Sequence, residues 1–147
     1  FVPASVSISY ALGMMQFMPF VANDIAKQYA IPNFDQDDMF NPQIAYKFAN
    51  IHLDYLEKSL KSPVFIAYAY NGGLGFTRKT LRQEELFKRG KFEPFLSMEL
   101  VAYAESREYG KRVLGNFVVY SQILGENVSV RKLLDDLLVP QNSDFIR

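Results

Sequence analysis

Residues 62–73 read Ser-Pro-Val-Phe-Ile-Ala-Tyr-Ala-Tyr-Asn-Gly-Gly, and this stretch decides the fold class. Ser62-Pro63 is a helix start: a hydroxyl that can cap, then a proline whose missing N–H costs nothing in a first turn. Val64 to Tyr70 is apolar almost all round, which predicts a short helix buried at the centre of the protein. Asn71-Gly72-Gly73, with Gly75 soon after, is a stop. Upstream, Asn41-Pro42 repeats the start signal. Two adjacent i, i+4 rows follow it, Ile44 and Phe48 in one and Ala45, Ala49, Leu53, Leu56 and Leu60 in the other, predicting a long amphipathic helix. Val21, Ala22, Ile25, Ala26 and Tyr29 have helical spacing between Pro19 and Pro32. Before them, Phe1 to Gly13 reads as a loop entering a turn, and after them comes a loop bearing Asp35, Asp37 and Asp38. Downstream, Leu81 to Phe95 is basic and mixed and reads as short helices and turns. Ala104 to Leu124 carries the stripe Tyr109, Val113, Phe117, Tyr120 and Leu124 on a second long helix, closed by Gly125. Val128 to Leu138 reads as a last short helix, with a polar tail from Pro140. No strand alternation and no long repeat is visible. The reading is a single all-α domain.

Composition supports this and narrows the function. The chain has 147 residues, 16 Lys and Arg against 16 Asp and Glu, one His, no Cys and no Trp. That length suffices for one domain burying about two thirds of its unfolded surface. With 49% hydrophobic and 22% charged residues, disorder is excluded. A net charge of zero argues against nucleic acid as a partner, because that affinity rests on excess Lys and Arg. No run approaches about 18 apolar residues, so no transmembrane segment is expected. Without Cys there is no disulfide, no Cys-ligated zinc and no thiol nucleophile. The aromatic excess is all Phe and Tyr, and Tyr joins a flat apolar face to a polar tip, which suits a sugar groove. The opening Phe1-Val2-Pro3 carries no initiator Met and no export signal, so localisation is not read from this terminus.

Three clusters carry chemistry. Gly13-Met14-Met15-Gln16-Phe17-Met18-Pro19 is a glycine-permitted turn projecting thioethers and an amide ahead of a helix. Ala69-Tyr70-Asn71-Gly72-Gly73-Leu74-Gly75 places Tyr and Asn at a helix end on a Gly-rich turn. Glu105-Ser106-Arg107-Glu108-Tyr109 sets acids at the start of a long helix, where the dipole favours them. Each alone has an ordinary structural explanation: core filling, a helix C-terminus, a stabilised first turn.

In combination, their order, wording and spacing resemble the catalytic domain of the lytic transglycosylases, lysozyme-like enzymes that cleave bacterial peptidoglycan. That family's pattern runs Glu-Ser-x-Phe, a Ser, Gly-Leu-Met-Gln-x-Met-Pro, Ala-Tyr-Asn-Ala-Gly, then Glu-Thr-Arg-x-Tyr-Val. Here Phe1 and Ser7, Gly13 to Pro19, Ala69 to Gly73 and Glu105 to Tyr109 stand in its place. Met14 replaces Leu, Gly72 replaces Ala and Ser106 replaces Thr; Tyr10 stands where Gly is usual, and Gly110 where Val is usual. The resemblance is closest to the large soluble members, which carry an α-superhelical region upstream. It implies a lysozyme-like fold of the goose-type lysozyme and lytic transglycosylase kind, with the domain over 1–125 and residues 126–147 forming a C-terminal helix and tail packed on it.

The resemblance also implies a reaction. A single Glu protonates the oxygen between N-acetylmuramic acid and N-acetylglucosamine. It then takes the proton of the muramic C6 hydroxyl as that oxygen attacks C1, leaving a 1,6-anhydro end. No metal or cofactor is expected. That Glu belongs to Glu-Ser-x-Phe and would fall about three positions before Phe1, so the 147-residue chain is expected to be inactive or nearly so by itself. Ser7 would help orient the acid, and Tyr70 would sit near the scissile bond. Met15, Gln16, Met18, Tyr70, Asn71 and Glu105 would bind substrate, while Arg107 and Tyr109 would hold the helix start. The implied partner is the peptidoglycan glycan strand, the implied location the periplasm, and the expected state a monomer. An inactive glycan-binding module and a goose-type hydrolase are the alternatives, separable by the residue upstream of Phe1 and by one water in the product. His52, lone on its helix, reads as structural or solvated; Asp35, Asp37 and Asp38 lack the pattern of a calcium loop. Lys88-Arg89-Gly90-Lys91 reads as a solvated face.

Overall fold

The computed structural model describes residues 2–139; Phe1 and the tail from Pro140 lie outside them. The described residues hold seven α-helices, and pairing between extended segments is limited to the isolated bridges Val6–Leu12 and Leu12–Phe17. They form two compact units that part between Tyr55 and Leu56, within one continuous helix.

The first unit opens with a folded loop. Leu12 and Phe17 exchange both backbone hydrogen bonds, at 2.8 and 3.0 Å, and Gly13 N–H donates to Ser5 C=O at 2.8 Å. The turn between them needs left-handed backbone at Gly13 (φ 71°) and Gln16 (φ 53°). Only glycine serves at position 13, where a Cβ would overlap the carbonyl oxygen of Met39. Helix α1, Pro19–Gln28, begins on its proline. The acidic segment expected as a loop winds instead into a 3-10 turn, Gln36–Phe40. The acids explain it: Asp35 accepts from Asp37 N–H and Asp38 accepts from Asp35 N–H, both at 2.9 Å, a reciprocal cap. Helix α2, Pro42–Ser59, follows. Ala22, Ile25, Ala26, Met39, Ala45, Phe48 and Ala49 are buried, with Phe34 stacked on Phe48 at 5.0 Å.

The second unit is built on helix α3, Pro63–Gly72, in which Val64, Phe65, Ala67, Tyr68 and Ala69 are buried. Ser62 caps it by accepting from Val64 N–H, as its sequence predicts. Gly73 (φ 89°) breaks the chain direction, and helix α4, Leu74–Leu81, starts at once. The glycines masked α4 in the sequence, although only Gly73 is needed for the break. Between residues 82 and 94 no helix forms, and α5, Phe95–Leu100, lies where the turns were expected to end. Helix α6 runs Ala104–Ile123, and helix α7, Val130–Asp135, passes into a 3-10 turn, Asp136–Leu138. Leu134 and Leu137 join the core around Leu60, Phe65, Tyr68 and Val101.

Helix α6 corrects one expectation. Only the first half of its apolar stripe is covered: Tyr109 and Val113 are half-buried, whereas Phe117, Tyr120 and Leu124 are 40, 61 and 74% exposed. The buried positions are the small residues Ser106, Gly110 and Ser121, of which Ser106 and Gly110 lie on the face that meets α3. A Cβ at Gly110 would overlap Cε1 of Tyr68, and one at Gly72 would overlap Ser106 Oγ. Small side chains thus bring the two helices together, and the far half of the bulky stripe is left outside. Gly125 (φ 78°) ends α6 as expected, with Glu126 N–H on Ser121 C=O at 2.8 Å and its own N–H on Gln122 C=O at 3.1 Å.

Candidate functional site

The expected site residues fall in both units. In the first, Ser7 and Gln16 serve one loop. Ser7 Oγ accepts from Ala11 N–H at 2.9 Å, closing the turn at Tyr10 (φ 63°). Gln16 is exposed, yet its Nε2 is held by Gly13 C=O at 2.8 Å and Ala11 C=O at 3.5 Å. The side-chain amide therefore braces its own turn with its donor end, and Oε1 is its free acceptor among the described residues. Met15 and Met18 are half-buried on either side. His52 is packed between Phe17, edge-on at 5.9 Å, and Tyr55, stacked at 19°. Burial holds its imidazole below the usual pKa, so it is neutral at pH 7.

In the second unit, the end of α3 meets the start of α6. Asn71 Nδ2 donates to Glu105 Oε1 at 3.1 Å, and Ser106 Oγ donates to Asn71 Oδ1 at 2.6 Å. Tyr103 OH donates to the other carboxylate oxygen, Oε2, at 3.1 Å. That bond, and then the charge of Glu105, raises the Tyr103 phenol above its ordinary pKa. The structure thus brings Asn71 and Glu105 together across 34 residues of sequence. Tyr70 is half-buried, and burial, with the Tyr109 phenol adding to it, pushes its hydroxyl well up, so it is a neutral donor at physiological pH.

Arg107 works on the backbone. Its Nη1 donates to Glu99 C=O at 3.3 Å and Val101 C=O at 3.2 Å, tying the end of α5 to the start of α6. Lys111 adds ion pairs to Glu99 at 2.6 Å and Glu108 at 3.1 Å.

Two participants escaped the sequence reading. Ser106 was noted only as a replacement for Thr; its place one residue after Glu105 and four before Gly110 is the signal that it faces α3. Tyr103 offered no signal, since its reach to Glu105 depends on how the chain enters α6. Among the described residues no group of three or more His, Asp or Glu could hold a metal ion, and no helix is long and apolar enough to cross a membrane.

Comparison with known proteins bears on the whole arrangement. Soluble lytic murein transglycosylases of Escherichia coli K12 and Salmonella typhimurium LT2 are each 26% identical to this chain over 118 residues, 79% of its length. The chain spans only 18% of the length of these relatives. In fold it is similar to the 70 kDa soluble lytic transglycosylase of E. coli, with a TM-score of 0.73, 23% identity, and coverage of 97% of this chain and 21% of that one. An inactive mutant of the lytic transglycosylase Slt of Pseudomonas aeruginosa gives 0.74 at 24% identity, covering 90% and 21%. The fold is therefore the lysozyme-like, all-α one that the motifs imply. The model of the transglycosylase SLT domain matches residues 1–92, well over half of the sequence and both of the turns described above, and to that family the chain belongs.

Proposed function

We propose that this chain acts in peptidoglycan lytic transglycosylation, the non-hydrolytic cleavage of the β-1,4 bond between N-acetylmuramic acid and N-acetylglucosamine, in the periplasm or cell-wall space. The observation that carries the reading is the Asn71–Glu105 pair at the α3–α6 junction, held by Ser106 and Tyr103, in a chain of the SLT family. Glu105, exposed and accepting two hydrogen bonds, has the role of accepting from sugar hydroxyls or amide N–H groups. Tyr70, neutral and half-buried, donates to the N-acetyl group or to the oxygen on which charge develops. Asn71 fixes the turn that presents both. Gln16 offers its free Oε1 to an N-acetyl N–H, and Met15 and Met18 pack on ring carbons. Ser7 holds the loop that orients the acid.

The reaction needs a carboxyl that gives its proton to the glycosidic oxygen and takes one from the muramic C6 hydroxyl as the O6–C1 bond forms. That step is assigned to none of the described residues.

Purified sacculi test this directly. The chain should co-sediment with them, and any muropeptides released should carry 1,6-anhydro ends, one water lighter than reducing ends by mass spectrometry. Failure to bind, or products with reducing ends, overturns the reading.

A further inference from the structure

The polar network at the start of α6 has an internal logic set by the chemistry of its members. A carboxylate only accepts, so Asn71 must turn Nδ2 toward Glu105 Oε1. Its Oδ1 is then committed to Ser106, whose hydroxyl must donate across 2.6 Å. Tyr103 must likewise donate to Oε2 of Glu105. Every proton in the chain of bonds is thereby fixed, from Tyr103 through Glu105 and Asn71 to Ser106. The two ends are anchored: Ser106 is fully buried, and the Tyr103 ring meets Phe76 edge-on at 5.7 Å. Gly72 leaves the space, since a Cβ there would lie 2.9 Å from Phe76 Cδ1 and 3.1 Å from Tyr103 Cδ1 and would overlap Ser106 Oγ.

We propose that Tyr103 and Ser106 are positioning residues for strand binding, clamping the Asn71 carboxamide and the Glu105 carboxylate into one rigid pair from opposite ends. The physical reason is entropic. Glu105 is exposed, and a free carboxylate there would sample several rotamers; ordering it at the moment of binding would cost affinity. A relay with its Ser106 end buried and its Tyr103 ring resting edge-on against Phe76 supplies that order beforehand. This rests on the transglycosylase reading above.

The test uses the 147-residue chain with Tyr103→Phe, Ser106→Ala and Ser106→Thr. Tyr103→Phe keeps the ring against Phe76 and removes only the hydroxyl. The first readout is the Asn71 side-chain amide pair in a ¹H–¹⁵N spectrum. Both signals should move toward free-amide positions in Ser106→Ala and shift in Tyr103→Phe, and Ser106→Thr should restore them. The second readout is affinity for soluble glycan strands stripped of peptide. Tyr103→Phe and Ser106→Ala should each weaken binding about five- to tenfold, the worth of one hydrogen bond. Asn71→Ala combined with Ser106→Ala should bind no more weakly than Asn71→Ala alone. Unmoved Asn71 signals overturn the relay. Moved signals with unchanged affinity overturn the positioning role. If the unaltered chain binds no strand, the transglycosylase reading falls and takes this role with it, while the amide signals still judge the relay separately.

Discussion

Gly110→Ala isolates the contact between α3 and α6. Alanine in mid-helix normally gains about 1 kcal/mol over glycine, because glycine surrenders more backbone freedom on folding. At position 110 the new methyl would overlap Cε1 of Tyr68 and lie 2.7 Å from Cδ1 and 3.2 Å from Cζ. That ring is fully buried, in contact with Phe65 at 6.3 Å, and has nowhere to swing. Overpacking of this kind costs about 1–3 kcal/mol, and overlap with a rigid ring puts it at the upper end, near 3 kcal/mol. The net loss is then about 2 kcal/mol, or roughly 6 °C in Tm for a chain of this size. Gly115→Ala is the internal control: it lies on the same helix, with nothing within 4 Å of the added carbon. It should gain up to about 1 kcal/mol. Urea titrations and thermal melts of both variants read the difference. If Gly110→Ala proves neutral or stabilising, small residues are not what sets the approach of these helices.

Three further outcomes follow from the buried and coupled groups. Tyr68 OH is buried with no hydrogen-bond partner among the described residues, so Tyr68→Phe should leave stability unchanged or raise it by about 1 kcal/mol; a loss of that size in urea would refute its orphan status. His52 titrates below its ordinary 6.5 when folded, so the unfolded chain binds the extra proton first. Its contribution is fully present above pH 6.5 and is lost as pH falls through the lowered value, a slope that His52→Phe should remove from a stability–pH curve. Tyr103 titrates above 10 because of Glu105, so Glu105→Gln should bring one tyrosine back toward 10 in an absorbance titration; an unmoved curve would contradict that bond.

Where the sequence could be read, and where it could not, has a physical pattern. Starts and stops were legible because they rest on local backbone chemistry: Ser62-Pro63 opens α3, Asn41-Pro42 opens α2, and Gly125 closes α6. The buried character of α3 was legible because its residues are apolar on every side. Helix α4 was hidden, since Gly75 within it imitates a loop, and the Asp35–Asp38 turn was hidden because side-chain caps compete with the reading of acids as solvated. The face of α6 was misread for a tertiary reason: apolar periodicity points to the bulky stripe, whereas Ser106 and Gly110 win the contact by being small. At the site, Asn71 and Glu105 were both named from motifs, but their pairing spans 34 residues and had no local trace.

One feature of the backbone bears on engineering. Helices α1, α2 and α3 each begin on a proline, at positions 19, 42 and 63. The pyrrolidine ring crowds the residue before it and keeps that residue out of helical backbone, as at Met18 and Ser62, so these helices do not creep backward by a residue. In α3 the far end is stopped as well, by Gly73 in a conformation other residues avoid. The helix is therefore indexed like a key between two shoulders, and Tyr70 and Asn71 keep their angle about its axis. Insertions meant to retune specificity should go beyond those shoulders, in residues 82–94, because a single residue added between them would rotate both side chains by about 100°.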